Sequence, residues 1–107
     1  MITIEDFRKV EMKVGKVLEA VEHPNANRLL VLKVDIGEPA PRQIVAGIKA
    51  HYAPDQLVGK TIILAANLEP AVLRGVESQG MLLACTSGAD VVALTTDRPA
   101  LPGSPVS

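Results

Sequence analysis

The run Arg28-Leu29-Leu30-Val31-Leu32-Lys33-Val34-Asp35-Ile36 decides the fold. Its even positions, Leu30, Leu32, Val34 and Ile36, are all apolar, whereas the odd positions pass from Leu29 and Val31 to Lys33 and Asp35. Alternation with a period of two marks a strand with one face in a core, so Lys33 and Asp35 leave that core. Turn-forming residues bracket the run, with His23-Pro24-Asn25-Ala26-Asn27 before it and Gly37-Glu38-Pro39-Ala40-Pro41 after it.

Working outward, Met12 to Glu22 is β-rich, but its apolar phase slips across Gly15-Lys16, as in a bulged or sharply bent strand. Ahead of it, Thr3 followed three residues later by Asp6 reads as a helix N-cap with an acidic first turn, which predicts a short helix over Ile4 to Lys9. Downstream, a third strand is expected over Arg42 to Ile48 and a short helical connector within Ala50 to Leu57, closed by Gly59. A fourth strand follows over Thr61 to Leu68, ending in Asn67-Leu68-Glu69-Pro70. After a turn at Arg74-Gly75 come a fifth strand, Gly80 to Cys85, and a short one, Val91 to Leu94. Three of the eight prolines fall between Thr95 and Ser107, so that tail should be extended. Short strands, a bent first strand and one helical insertion between the third and fourth describe an all-β protein, most simply a five-stranded OB-fold barrel with short helices.

Composition narrows the function. The 107 residues suit one domain, expected to span residues 1–107, and 48% hydrophobic content supplies a core without disulfide staples. A single cysteine, Cys85, set in Met81-Leu82-Leu83-Ala84-Cys85, reads as a buried strand thiol, in keeping with a reducing, cytoplasmic location. No apolar run reaches membrane-spanning length, and the acidic start at Glu5 and Asp6 is unlike a secretory signal. Net charge is −1, so any nucleic-acid site must be a local patch. Phe7 and Tyr52 are the only aromatic residues, which leaves no set of rings on which to stack successive bases and disfavours generic single-strand binding.

Catalysis has little support. His23, beside Pro24, reads as a turn residue, His51 stands beside a connector, and neither has the cysteine, serine or carboxylate spacing of a triad or metal site. The glycines are isolated and build no phosphate-cradling loop. No enzyme activity, metal or cofactor is expected.

Several segments taken together resemble one family. His23-Pro24-Asn25-Ala26, with Leu29, Val31, Lys33-Val34-Asp35 and Gly37, is similar to its H-P-N-A-x-x-L-x-V-x-K-V-D-x-G segment. Asn67-Leu68-Glu69-Pro70, then Arg74-Gly75 and Ser78-Gln79-Gly80-Met81-Leu82-Leu83-Ala84, resemble its N-L-x-P…R-G-x-x-S-x-G-M-x-L-A block. This is the tRNA-binding domain shared by structure-specific dimeric tRNA-binding proteins, the C-terminal extension of bacterial methionyl-tRNA synthetases and the endothelial monocyte-activating polypeptide group. The resemblance implies an OB-fold homodimer, joined through the N-terminal segment and the strands and tail after S-x-G-M, that recognises the shape of tRNA. Carried over by motif, Lys33, Asn67, Ser78 and Met81 would contact tRNA. Arg42, Lys49 and Arg74, each at the edge of an expected strand or turn, are candidates for the same patch or ordinary surface charge. Met81, sharing a face with Leu83 and Cys85, is alternatively core, and Ser78 alternatively shapes the start of the fifth strand. Ala71 and Val72 stand where many relatives carry basic residues. An aminoacyl-tRNA synthetase is a further expected partner, and the alternative function is a protein-interaction module like the secretion-chaperone branch of the family.

Overall fold

In the computed structural model, which describes all 107 residues, the chain opens with α1 (Ile4–Arg8) and β1 (Met12–Glu22), followed by β2 (Leu30–Asp35) and β3 (Arg42–Ala46). The Thr3 hydroxyl accepts from Asp6 N–H at 3.2 Å and the Asp6 carboxylate accepts from Thr3 N–H at 3.4 Å, so the expected cap is a reciprocal capping box. Next come α2 (Pro54–Leu57), β4 (Thr61–Ala65), β5 (Ala71–Leu73) and β6 (Val76–Ser78). The chain closes with β7 (Met81–Leu82), β8 (Ala84–Ser87), β9 (Asp90–Ala93) and β10 (Pro105–Val106).

The main sheet has the order β3-β2-β1-β4-β7, all neighbours antiparallel, with β10 added to the start of β1. Its ends curl toward each other into a nearly closed five-stranded barrel, and the all-β, OB-like architecture follows. The even positions of β2 lie inside, as their alternation required. Leu30, Leu32, Val34 and Ile36 join Val17, Ile44, Leu57, Ile62 and Leu64 in the core. Leu57 comes from α2, so the expected helical connector also plugs the barrel.

Several boundaries differ from the sequence reading, each for a local reason. The irregularity in β1 falls between Val17 and Glu19, not at Gly15-Lys16. Gly15 is needed for another purpose: a Cβ there would sit 2.6 Å from Val34 and 2.8 Å from Leu64, so β1 crosses the core where only hydrogen fits. The fourth strand ends at Ala65, three residues short of the expected Leu68; Ala66 N–H adds one last in-register bond, to Glu11 O at 2.7 Å, before the chain leaves the ladder at Asn67. Beyond it, Ala71 to Ser78 form a β5–β6 hairpin where only a turn was expected; Arg74 (φ 54°) and Gly75 (φ 88°) make its two-residue tip, with the positive φ pair that matches strand twist.

The expected strand from Gly80 to Cys85 divides. Leu83 N–H donates to Ile63 O at 2.9 Å, the last tie to the barrel, and β8 then departs to pair with β9 alone. One face of this ribbon packs Val91 on the core, but Cys85 is paired with Val92 on the outer face, so it is exposed and not the buried thiol expected from its apolar neighbours. The ribbon leans on the α2 connector, where the Tyr52 hydroxyl accepts from Ala93 N–H at 3.0 Å and His51 Nδ1 accepts from Val91 N–H at 3.3 Å. The proline-rich tail is extended, ending in β10 against Met12 and Lys13. No helix is long and apolar enough to cross a membrane.

Replacing Gly15 with Ala should destabilise the protein by about 1–3 kcal/mol through overpacking against Val34 and Leu64. The check is the urea midpoint of the variant against the parent, and an unchanged midpoint would show that the barrel wall can yield there.

Candidate nucleic-acid interface

An OB-fold presents ligands with the outer face around its second and third strands and with the loops after its first and fourth strands. Here those parts are β2 and β3, the loop His23–Leu29, and the segment from Ala66 to Gly80 that contains the β5–β6 hairpin. Lys33 faces outward because its neighbours Leu32 and Val34 face inward. Across the sheet it stands opposite Glu19 on β1 and Gln43 on β3, and its Nζ donates to Gln43 Oε1 at 2.9 Å.

Gln43 passes the connection on. Its Nε2 donates to Glu77 O at 2.8 Å, its backbone N–H donates to Gln79 Oε1 at 2.9 Å, and its carbonyl accepts from Gln79 N–H at 2.7 Å. Beside it the Ser78 hydroxyl accepts from Val45 N–H at 2.9 Å and donates to Gly80 O at 2.8 Å. These bonds join β3 to the β6–β7 turn where the barrel would otherwise gape. Ser78 is only 4% exposed and both roles of its hydroxyl are taken, so its place is inside the seam, not on a contact surface.

Arg42 is held as firmly. It donates to both carboxylate oxygens of Glu38, at 2.9 and 3.0 Å, to Gln79 O at 3.0 Å and to Ala66 O. The hydrogen-bonded Arg42 guanidinium holds the Glu38 carboxyl below its ordinary value; desolvation opposes this, and the charges of Arg42 and then Lys13 add a weaker lowering. Glu38 in turn raises Arg42 further. Asn67 is also engaged: its Nδ2 donates to Lys9 O at 2.7 Å and its Oδ1 accepts from Glu11 N–H at 2.8 Å, clasping the link between α1 and β1. Three of the seven sequence-derived positions, Arg42, Asn67 and Ser78, are thus fasteners.

The other four remain presentable. Lys33 is half-buried beside the seam, and Met81, on β7, is 50% exposed. Arg74 occupies the hairpin tip and makes no ion pair. Lys49 pairs with Glu22 at 3.5 Å, and its backbone N–H donates to Arg28 O at 3.4 Å. That bond places Arg28, which the sequence reading passed over, beside Lys49 at the end of the barrel. The signal was its position between the H-P-N-A turn and β2. His23 was read as a turn residue, yet it is buried, and its Nε2 lies 2.9 Å from Leu73 O at the hairpin tip. Backbone contacts therefore bring the chain positions of Arg28 and Lys49 together, and the His23–Leu73 contact brings the hairpin tip with Arg74 to the same loop, with Lys33 on the adjoining wall. Glu19, Glu22 and Glu77 are interspersed, so the patch is cationic only in part. No group of three or more His, Cys, Asp or Glu side chains has the arrangement of a metal site.

Residues 12–105 match the family described as "Putative tRNA binding domain". The chain belongs to this family. Among curated tRNA-binding-domain relatives, the methionine–tRNA ligase of Thermotoga maritima is 55% identical over 106 residues, covering 99% of this chain and 17% of the ligase. The chain thus spans about a sixth of that relative's length. Among solved structures, a methionyl-tRNA-synthetase-related protein from Pyrococcus horikoshii superposes with a TM-score of 0.92 at 34% identity, covering 100% of this chain and 98% of that one. The chaperone CsaA from Bacillus anthracis superposes at 0.90 with 30% identity, covering 100% and 99%. Proteins similar to this chain thus include a ligase several times its length and solved chains of about the same length.

Changing Ser78 to Ala should orphan the buried Val45 N–H and cost about 1–3 kcal/mol. Thermal melting would reveal the loss, whereas an unaltered melt would return Ser78 to the list of surface contacts.

Proposed function

We propose that the chain is one domain, residues 1–107, that acts without catalysis as a cytoplasmic, homodimeric binder of tRNA shape, free-standing or as the C-terminal appendage of a methionyl-tRNA synthetase. The observation that carries the reading is the gathering of Arg28, Lys49 and Arg74 where the loop after β1 meets the β5–β6 hairpin, within a chain of the tRNA-binding family. Cations on a barrel wall engage phosphates without reading bases, and folded RNA is recognised mainly through its backbone and 2′-hydroxyls. With two aromatic residues in the whole chain, base stacking contributes little. Tethered to a synthetase, such a module would raise the local concentration of tRNA at the catalytic domain.

The primary contacts in this reading are Lys33, Arg74, Lys49 and Met81, joined by Arg28. Arg42, Asn67 and Ser78 act behind them by holding the loops. Salt dependence tests it directly. Wild-type protein titrated with bulk tRNA at several salt concentrations should give a shallow slope, since few phosphates are neutralised, and Lys33→Ala should flatten it by about one unit. Duplex DNA should compete poorly. Equal retention of DNA and tRNA, or a slope indifferent to Lys33, would defeat the assignment.

The homodimer is supported by apolar surface at both ends of the chain. Ile2, Ile4, Phe7 and Val10 at the start and Leu101 in the tail are exposed, and α1 and β10 flank a groove of about 180 Å³ that includes Phe7, Val10 and Val106. Exposed apolar side chains beside an apolar groove are a surface that assemblies cover. Light scattering at micromolar concentration should give twice the chain mass; the chain mass alone at every concentration would count against it.

A protein-interaction role is the second reading. Val72 and Leu73 expose apolar side chains on the hairpin, and the chain is 30% identical to a protein solved as a chaperone. Binding of an unfolded peptide that excludes tRNA would favour it.

A further inference from the structure

His23 closes β1 and opens the loop to β2, and it is 5% exposed. Its Nδ1 lies 2.9 Å from the backbone nitrogen of Asn25, a group that can only donate. Nδ1 must therefore offer its lone pair, which leaves the ring proton on Nε2. Nε2 stands 2.9 Å from Leu73 O, a group that can only accept. The two partners together fix one tautomer. They also sit on different loops, Asn25 on the one after β1 and Leu73 at the end of β5.

The hairpin has few other restraints at that end. Its base is tied to β3 through Ser78, Glu77 and Gln79, but all three residues of β5 are exposed. A ribbon of three residues per strand is marginal by itself. Leu73 immediately precedes Arg74, so the bond from His23 acts one residue from the tip.

We infer that His23 is a positioning residue that couples the two ligand-facing loops, setting Arg74 in register with Arg28 and Lys49 so that one run of phosphates meets all three. The inference rests on the tRNA reading above. Without the bond the tip would swing as a free hairpin and Arg74 would have to be ordered on binding.

Two substitutions divide the function of the ring. Asn at position 23 places an acceptor near Nδ1 and stops short of Leu73; Gln reaches as far as Nε2 and presents an N–H there. His23→Asn should weaken tRNA binding about 3- to 10-fold, the range of one net hydrogen bond, and His23→Gln should recover most of it. In an Arg74→Ala background His23→Asn should have no further effect, because positioning an absent cation gains nothing. Additive losses, or a Gln variant as weak as the Asn variant, would overturn the proposal.

Two further measurements stand apart from RNA. Imidazole nitrogen NMR of the wild-type protein should show the proton on Nε2; a proton on Nδ1 would refute the coupling even if neither variant folds. Amide exchange across Ala71–Ser78 should quicken in His23→Asn and not in His23→Gln, and equal exchange in both would refute it too. Failure of the wild type to bind tRNA would instead remove the functional reading, leaving these two results to decide whether the loops are coupled.

Discussion

The structure depends on how the last gap in the barrel is closed. Between β3 and β7 no continuous ladder forms, and side chains take over the role of backbone pairing: Ser78 satisfies Val45, Gln43 and Gln79 exchange bonds, and Arg42 gathers the carbonyls of Ala66 and Gln79. Buried backbone groups left without partners would each cost free energy comparable to a lost hydrogen bond. The Ser-Gln dipeptide at 78–79 therefore does the work of an additional strand. Because the same residues terminate β6 and start the turn to β7, the hairpin they root is fixed at its base by the closure of the barrel itself.

This arrangement divides the polar residues of the candidate face into two sets. Arg42, Asn67 and Ser78 are recognisable in the sequence, but each makes hydrogen bonds within the chain that fix neighbouring segments. In the proposed tRNA-binding reading, a group in that position acts by deciding where the loops stand. Arg74, Arg28, Lys33 and Met81 keep surface available. A net charge of −1 is compatible with such a face, since the cations are concentrated where two loops meet and the acidic residues around them limit the field.

The alternation in β2, the cap at Thr3 and the turn at Arg74-Gly75 were legible from residue order, because each follows from local stereochemistry. The β5–β6 hairpin was not: its strands are three residues long, too short for periodicity to register. Cys85 misled for a related reason, as apolar neighbours indicate a strand but not whether a second layer covers it. The gathering of Arg28 with Lys49 and Arg74 depends on contacts between segments more than twenty residues apart, which no spacing rule supplies. His23 shows the same limit, since its acceptor is fifty residues downstream.

Asn67 gives the molecule a mechanical property. Its amide grips the backbone on both sides of Val10, at Lys9 O and Glu11 N–H, while its own backbone is the root of the segment that carries the hairpin. The linker between α1 and β1 is therefore held at two points by one side chain, so a shift of α1 bears on Asn67 as well as on β1. The link from the N-terminal helix and the segment that leads into the hairpin thus share one side chain as an anchor, which places the start of the chain and that segment in a common mechanical frame.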